Sequence, residues 1–214
     1  MIHPSSELRF IDDVVGHGVF ATTFIPRGTF LWVLDPLDRI LSEDDVRALP
    51  APMKAQVERY AYVGPNGEYI FCWDAGRYMN HGCEPASRGV GDAFEIAVRD
   101  IQPGDQLTCE YGTLNLSSTF ACRCGSPSCR GTVGADDLER LADAWDAEAQ
   151  AAFELAGDVP QPLLPFAKLS VRDEPLREAL TERRAVAVPT SRAYRNLRAS
   201  AAPGGDGGAL WRLR

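Results

Sequence analysis

Short apolar runs rich in β-branched and aromatic residues dominate the first half of the chain: "VFATTF" at 19–24, "TFLWVL" at 29–34, "YIF" near 70, "AFEIAV" at 93–98 and "QLTCEY" at 106–111. Such runs predict short strands. Between them lie "IPRG" at 25–28, "PNG" at 65–67 and "QPGD" at 102–105, where proline presets φ and glycine or asparagine supplies positive φ. These tight reversals predict hairpins and small antiparallel sheets. One helical insert interrupts the strands, with Ser42 as N-cap of a short helix and Pro52 in the first turn of a second, whose Met53, Val57 and Tyr60 share one face expected to pack as core. After Gly134 the period changes: Leu138, Leu141, Ala142, Trp145, Ala149, Ala152 and Phe153 recur at helical spacing behind the capping candidates Asp136 and Asp137 and ahead of Gly157. An amphipathic helix of about five turns is expected. A proline-broken stretch at 160–165, a second helical pattern from Glu174 to Ala185 and a flexible terminus, "ASAAPGGDGGALWRLR", complete the chain, and no internal repeat is visible. The fold class is mainly β with a helical insert, plus an α-helical C-terminal extension.

With 214 residues and 45% hydrophobic content, the chain can bury one sizeable core, so one domain with a tail is expected. The first thirty residues contain no apolar segment behind a basic start, and the longest clearly apolar run is "YIFCW" at 69–73. Neither an ordinary signal peptide nor a membrane span is expected, which points to a cytoplasmic protein. The net charge of −8 disfavours direct nucleic-acid partners and favours a lysine-rich or arginine-rich protein segment, and without an apolar span no membrane partner is expected. A monomer is expected. Six cysteines without an export signal suit a reducing compartment, where clustered thiols are ligands or catalysts more often than disulfides.

"GHGVFA" at 16–21 formally matches a dinucleotide-binding fingerprint, but those glycines must open a helix, and here a strand and the Ile25-Pro26 turn follow. Gly16 and Gly18 therefore serve a bend or a close approach of the backbone to something, and in isolation the bend is the simpler reading. Cys122, Cys124 and Cys129 have the spacing C-x-C-x4-C around Gly125, Ser126 and Pro127, a turn-rich linker that lets three sulfurs face one point. Zinc takes four ligands in a tetrahedron. Spacing leaves Cys83, Cys72, Cys109, His17 and His81 open as the fourth. A thiol-redox reading lacks a C-x-x-C at a helix start. Taken singly, "RYMNHGCEP" at 77–85 is a polar loop, and Tyr111 in "GDQLTCEYG" at 104–112 is a strand-end aromatic.

Read in order, "GHGVFATTFIPRGTFL" (16–31), "GRYMNHGCEPA" (76–86), "AVRDIQPGDQLTCEYG" (97–112) and "FACRCGSPSCRG" (120–131) resemble the SET-domain protein-lysine methyltransferases with a post-SET zinc motif. The resemblance covers about residues 8 to 132. It implies a SET-type β-clip fold of several small sheets, with a knot-like crossing that brings "NHGC" against "EYG". The implied division is a SET domain at 1–114, a post-SET zinc-binding segment at 115–133, a helical extension at 134–198 and a flexible tail at 199–214. It also implies S-adenosylmethionine as cofactor, approached by the backbone of Gly16, His17 and Gly18 and bound by Asn80, His81 and Phe120, with Arg77 and Tyr78 nearby. Tyr111 is the implied active-site tyrosine, and Cys83 the fourth ligand of one structural zinc ion with Cys122, Cys124 and Cys129.

The implied reaction is methyl transfer to the ε-amine of a lysine in a histone or other basic protein. The amine must be neutral to attack, and a narrow aromatic channel favours this by desolvation. Gly82, Glu84 and Ala86 replace the family's Ser, Asp and Asn. Cys109 stands where relatives carry Phe or Tyr, so a roomier channel and di- or trimethylation are expected, although Trp73, Tyr60 or Tyr62 could refill the space. The alternative is a degenerate SET module that binds basic peptide or S-adenosylmethionine without turnover.

Overall fold

The structure, a computed structural model, describes residues 1–171, 173–182 and 186–195. Strands β1 (Ser6–Asp12) and β2 (Gly16–Ala21) form an antiparallel hairpin, followed by β3 (Phe30–Val33) and β4 (Arg39–Leu41). Helices α1 (Glu43–Ala48) and α2 (Ala51–Tyr60) form the insert. Then come β5 (Tyr62–Val63), β6 (Tyr69–Phe71), β7 (Asn80–His81), β8 (Ser87–Val90), β9 (Phe94–Ala97), β10 (Gln106–Cys109), β11 (Phe120–Ala121) and β12 (Thr132–Val133). Helices α3 (Asp136–Phe153), α4 (Leu164–Ser170) and α5 (Glu174–Glu182) complete the described fold. The expected helix over Glu174 to Ala185 thus runs to Glu182, with 183–185 outside the described residues, as is the tail at 199–214.

Four small sheets result, ordered β1-β2-β10-β7, β3-β9-β8, β4-β6-β5 and β11-β12. The expected reversals occur at Gly28, Gly67 and Gly104, all with positive φ. Antiparallel pairing prevails with one exception that matters for the site: β10 runs parallel to β7, matching Thr108 to Asn80 and Cys109 to His81. The "NHGC" and "EYG" segments therefore lie side by side.

Ser42 caps α1 as expected, in a reciprocal capping box with Asp45. The α2 face differs from expectation: Val57 is buried, but Met53 is exposed. Only the end of this short helix meets a wall of β6, so a ten-residue amphipathic pattern covers little core. Asp136 and Asp137 were expected as caps, yet Ala135 occupies the cap position with no side-chain hydrogen bond. Asp137 is instead buried, accepting from the Gly134 N–H at 3.1 Å.

Sheet β3-β9-β8 separates two cores. Phe30, Val33, Phe94 and Ile96 pack against Ala149, Ala152, Phe153, Leu163 and Leu176 of the C-terminal helices and their links. On the other face Trp32 joins the core that holds Val19, Leu107, Cys109 and Tyr111. The C-terminal helices thus fill in behind the sheet that carries the site.

Candidate active site

Tyr111 lies two residues past the end of β10 and is buried. Its hydroxyl donates to the Met79 carbonyl at 2.8 Å, and its N–H donates to His81 Nδ1 at 3.2 Å. Because Nδ1 accepts, the neutral imidazole carries its proton on Nε2, which lies 3.4 Å from Cys83 Sγ. Burial pushes the His81 imidazole below its ordinary value and so keeps it neutral. His81 therefore braces Tyr111 on one side and the thiol cluster on the other.

Asn80 Nδ2 donates to the His17 carbonyl at 3.0 Å, tying the first glycine loop to β7. A Cβ on Gly18 would stand 2.5 Å from Gln106 Nε2 and 3.0 Å from Asn80 Nδ2. The two readings of the glycines divide by residue: Gly16 makes the bend with φ +80, and Gly18 leaves room for a close approach.

Two cavities meet at Tyr111. One, of about 480 Å³, is lined by Asn80, His81, Phe120, Gln106 and Ile11 among others. Gln106 Nε2 there is a buried donor with no partner among the described residues, which suits a polar ligand. The other, of about 80 Å³, is lined by Trp32, Tyr60, Tyr62, Met79, Cys109 and Glu95 among others. Two of its buried polar atoms, Trp32 Nε1 and Tyr62 Oη, also have no partner among the described residues. Tyr111 is the one residue shared by both linings.

Of the residues expected at the cofactor, Asn80, His81 and Phe120 are brought together, with the Phe120 ring edge-on to Tyr111 and His81. Arg77 lines the smaller cavity instead, its guanidinium over Phe71 and Tyr78. Gly16, His17, Gly18 and Tyr78 line neither cavity; Tyr78 sits between the His17 and Tyr60 rings. Trp73 was expected in the channel, but it is exposed and turned to Asp35, donating from Nε1 to Oδ2 at 3.0 Å. Trp32 holds the place in the cavity wall. An aromatic in a strand of buried residues carries no mark in sequence that separates a channel wall from ordinary core.

The sulfurs of Cys83, Cys122, Cys124 and Cys129 all lie within 4.8 Å of one another. Cys83 and Cys122 are 3.7 Å apart, close to the roughly 3.8 Å edge of a tetrahedron with Zn–S near 2.3 Å, and far beyond a disulfide bond. The Arg130 N–H donates to Cys83 Sγ at 3.4 Å. Burial raises the Cys124 thiol, but hydrogen bonds from the Cys83 and Ser126 main chain outweigh this and lower it to about 7. Four thiols with these spacings fit one closed tetrahedral zinc site. Cys72 and Cys109 are buried elsewhere in the core, where burial pushes both thiols up and keeps them protonated.

Glu110, fully buried, ties this cluster to Tyr111, a role invisible in sequence. It receives a two-pronged hydrogen bond from Arg130 at 2.7 and 2.8 Å and lies 3.3 Å from Arg88 Nη1. Both guanidiniums lie over the Trp145 ring of α3. The loop departures are braced from β10 and the cysteine loop: Thr108 Oγ1 accepts from the Ala86 N–H at 3.0 Å, and Ser126 donates to Glu84 at 2.7 Å.

The family model described as "SET domain" matches residues 16–112. Residues 16–112 of this chain are thus similar to a SET domain. Similar curated proteins include histone-lysine N-methyltransferase ash1 of Drosophila melanogaster, 26% identical over 147 residues, covering 59% of this chain and 6% of that protein. Histone-lysine N-methyltransferase EHMT1 of Homo sapiens is 31% identical over 159 residues, covering 63% of this chain and 11% of that protein. Histone-lysine N-methyltransferase TRX1 of Oryza sativa is 41% identical over 68 residues, covering 28% of this chain and 6% of that protein. The chain thus spans about a tenth or less of these relatives' lengths. The match ends at Gly112, one residue past Tyr111, and the four-thiol cluster joins Cys83 within it to three cysteines beyond it. Among the described residues no helix is long and apolar enough to cross a membrane.

Proposed function

We propose that this chain transfers methyl groups from S-adenosylmethionine to the ε-amine of lysine in a basic protein, a histone or another lysine-rich polypeptide. The observation that carries this reading is Tyr111 at the junction of two cavities, one wide and polar, the other narrow and aromatic. Asn80, His81 and Phe120 suit the cofactor in the wide cavity, and the narrow one suits a lysine side chain. The bound cofactor supplies an electrophilic methyl. The chain's own residues align and desolvate: Trp32, Tyr60, Tyr62 and Met79 wall off water, and the fixed Tyr111 ring sets the meeting point. Cys83, Cys122, Cys124 and Cys129 hold one zinc ion that secures the segment bearing Phe120, a structural role. The net charge of −8 suits a basic partner.

Labelled-methyl transfer to a histone and basic-peptide mixture tests the proposal. Turnover is expected in the wild type, and Tyr111→Phe should lower it by about 10²-fold with cofactor affinity within a few fold. Tight cofactor binding with no turnover on any substrate would instead make the chain a binding module.

A further inference from the structure

Glu95 is a carboxylate in the wrong place for an inert core. It lies on β9, the central strand of its sheet, opposite Trp32 on one side and Gly89 on the other. Residues paired across strands point the same way, and Trp32 and Glu95 both line the narrow cavity with Tyr111 and Cys109. Space for the carboxylate comes from Gly89, where a Cβ would stand 3.3 Å from Oε1. Its one hydrogen bond among those described comes from Ser87 Oγ, at 2.7 Å to Oε2. Glu95 also lines a second hollow, bounded by Gly64, Asn115 and Tyr194, so it stands in the wall between the channel and another recess. An apolar channel end would need no such group. A buried carboxylate there costs stability unless something cationic answers it.

We propose that Glu95 receives the substrate lysine as an ammonium ion and takes one proton from it. The inference rests on the lysine-transfer reading above. In this step an N–H bond of the ammonium breaks and an O–H bond forms on the carboxylate. The nitrogen keeps its electron pair, and the neutral amine is then available beside Tyr111. The proton leaves Glu95 toward solvent through the recess it shares with Tyr62 and Leu114. Burial raises the Glu95 carboxyl to about 7, which suits a group that must take up and release a proton near neutrality. The charged and titratable groups around it are Arg88 on the neighbouring strand, Glu110 and Cys109 on the β10 side, Tyr62 on β5 and Asp92 in the turn before it. Of these, Arg88 favours the carboxylate and Glu110 the acid.

Two readouts on the full chain test this. The first is the pH profile of methyl transfer for wild type, Glu95→Gln and Glu95→Asp. Glu95→Gln should lose about 10²-fold in kcat at pH 7 and recover progressively above pH 9, as free lysine deprotonates near 10.4 unaided. Glu95→Asp, which keeps the charge, should retain most of the neutral-pH rate. The second is binding, without turnover, of a lysine peptide against its norleucine counterpart in the presence of S-adenosylhomocysteine. The wild type should prefer lysine, and Glu95→Gln should lose about tenfold of that preference. Changes in both support the proposal. A changed binding preference in a chain that never transfers methyl keeps Glu95 as the ammonium receiver and removes the transferase reading. Parallel pH profiles with an unchanged preference, a uniform loss of rate at every pH, or no lysine preference in the wild type would each overturn it.

Discussion

Cys109 places a small side chain at the end of β10, inside a cavity otherwise walled by Trp32, Tyr60 and Tyr62. Those rings line the cavity without filling it, since about 80 Å³ stays open. Wild type is therefore expected to accumulate di- or trimethyllysine. Cys109→Phe should shift the product toward monomethyllysine at a stability cost of about 1–3 kcal/mol, as the added ring competes with the amine for that space. Mass spectrometry of the product reads this directly. Glu95 gives a second residue-scale expectation. Its folded carboxyl holds a proton to about pH 7, against 4.5 for the ordinary group, so the folded state binds more protons between those values. Stability must then fall as pH rises through that window, by on the order of 3 kcal/mol in all. Glu95→Gln removes this slope: the variant's melting temperature should gain on the wild type from pH 5 to pH 8 and hold a constant lead above.

At the scale of elements, the decisive juxtaposition is β7 beside β10 with the cysteine segment folded against both. Cys83 leaves the end of β7, and Arg130, immediately after Cys129, reaches back to Glu110 at the end of β10. The thiol cluster and a buried ion pair thus meet the same segment at two adjacent points. Cys129→Ser should lower zinc below one ion per chain and speed amide exchange across 115–131, as read by elemental analysis and hydrogen exchange. Chelation of the wild type should have the same local effect. The cysteine cluster was legible in sequence because its spacing and turn residues constrain the chemistry directly. Arg130 and Glu110 were not, because a buried ion pair between residues twenty apart looks in sequence like two ordinary surface charges.

For the whole molecule, the C-terminal helices are part of the core. They cover the Phe30, Phe94 and Ile96 face of the central sheet, and α3 brings Trp145 against two arginines and the segment that follows β10. A Cβ on Gly112, next to Tyr111, would stand 2.8 Å from the Trp145 ring. Trp145→Ala should cost about 3–5 kcal/mol in denaturant unfolding and also lower turnover, since the lost ring supports the strand end that positions Tyr111.

Local pattern alone was enough for the strand runs, the turns, the α1 cap, the long amphipathic α3 and the convergence of three cysteines, because each depends on residues close in the chain. The ordered motifs named Asn80, His81, Tyr111 and Cys83, which the fold brings together. Tertiary structure decided what local pattern cannot hold. It turned Trp73 outward to Asp35 and put Trp32 in the cavity wall, exposed Met53 on a helix with little to pack against, and set Glu95 in that cavity wall as well. Each of these depends on which side of a sheet a residue faces and on what a distant segment lays across it, and contacts of that range are settled only when the chain closes on itself.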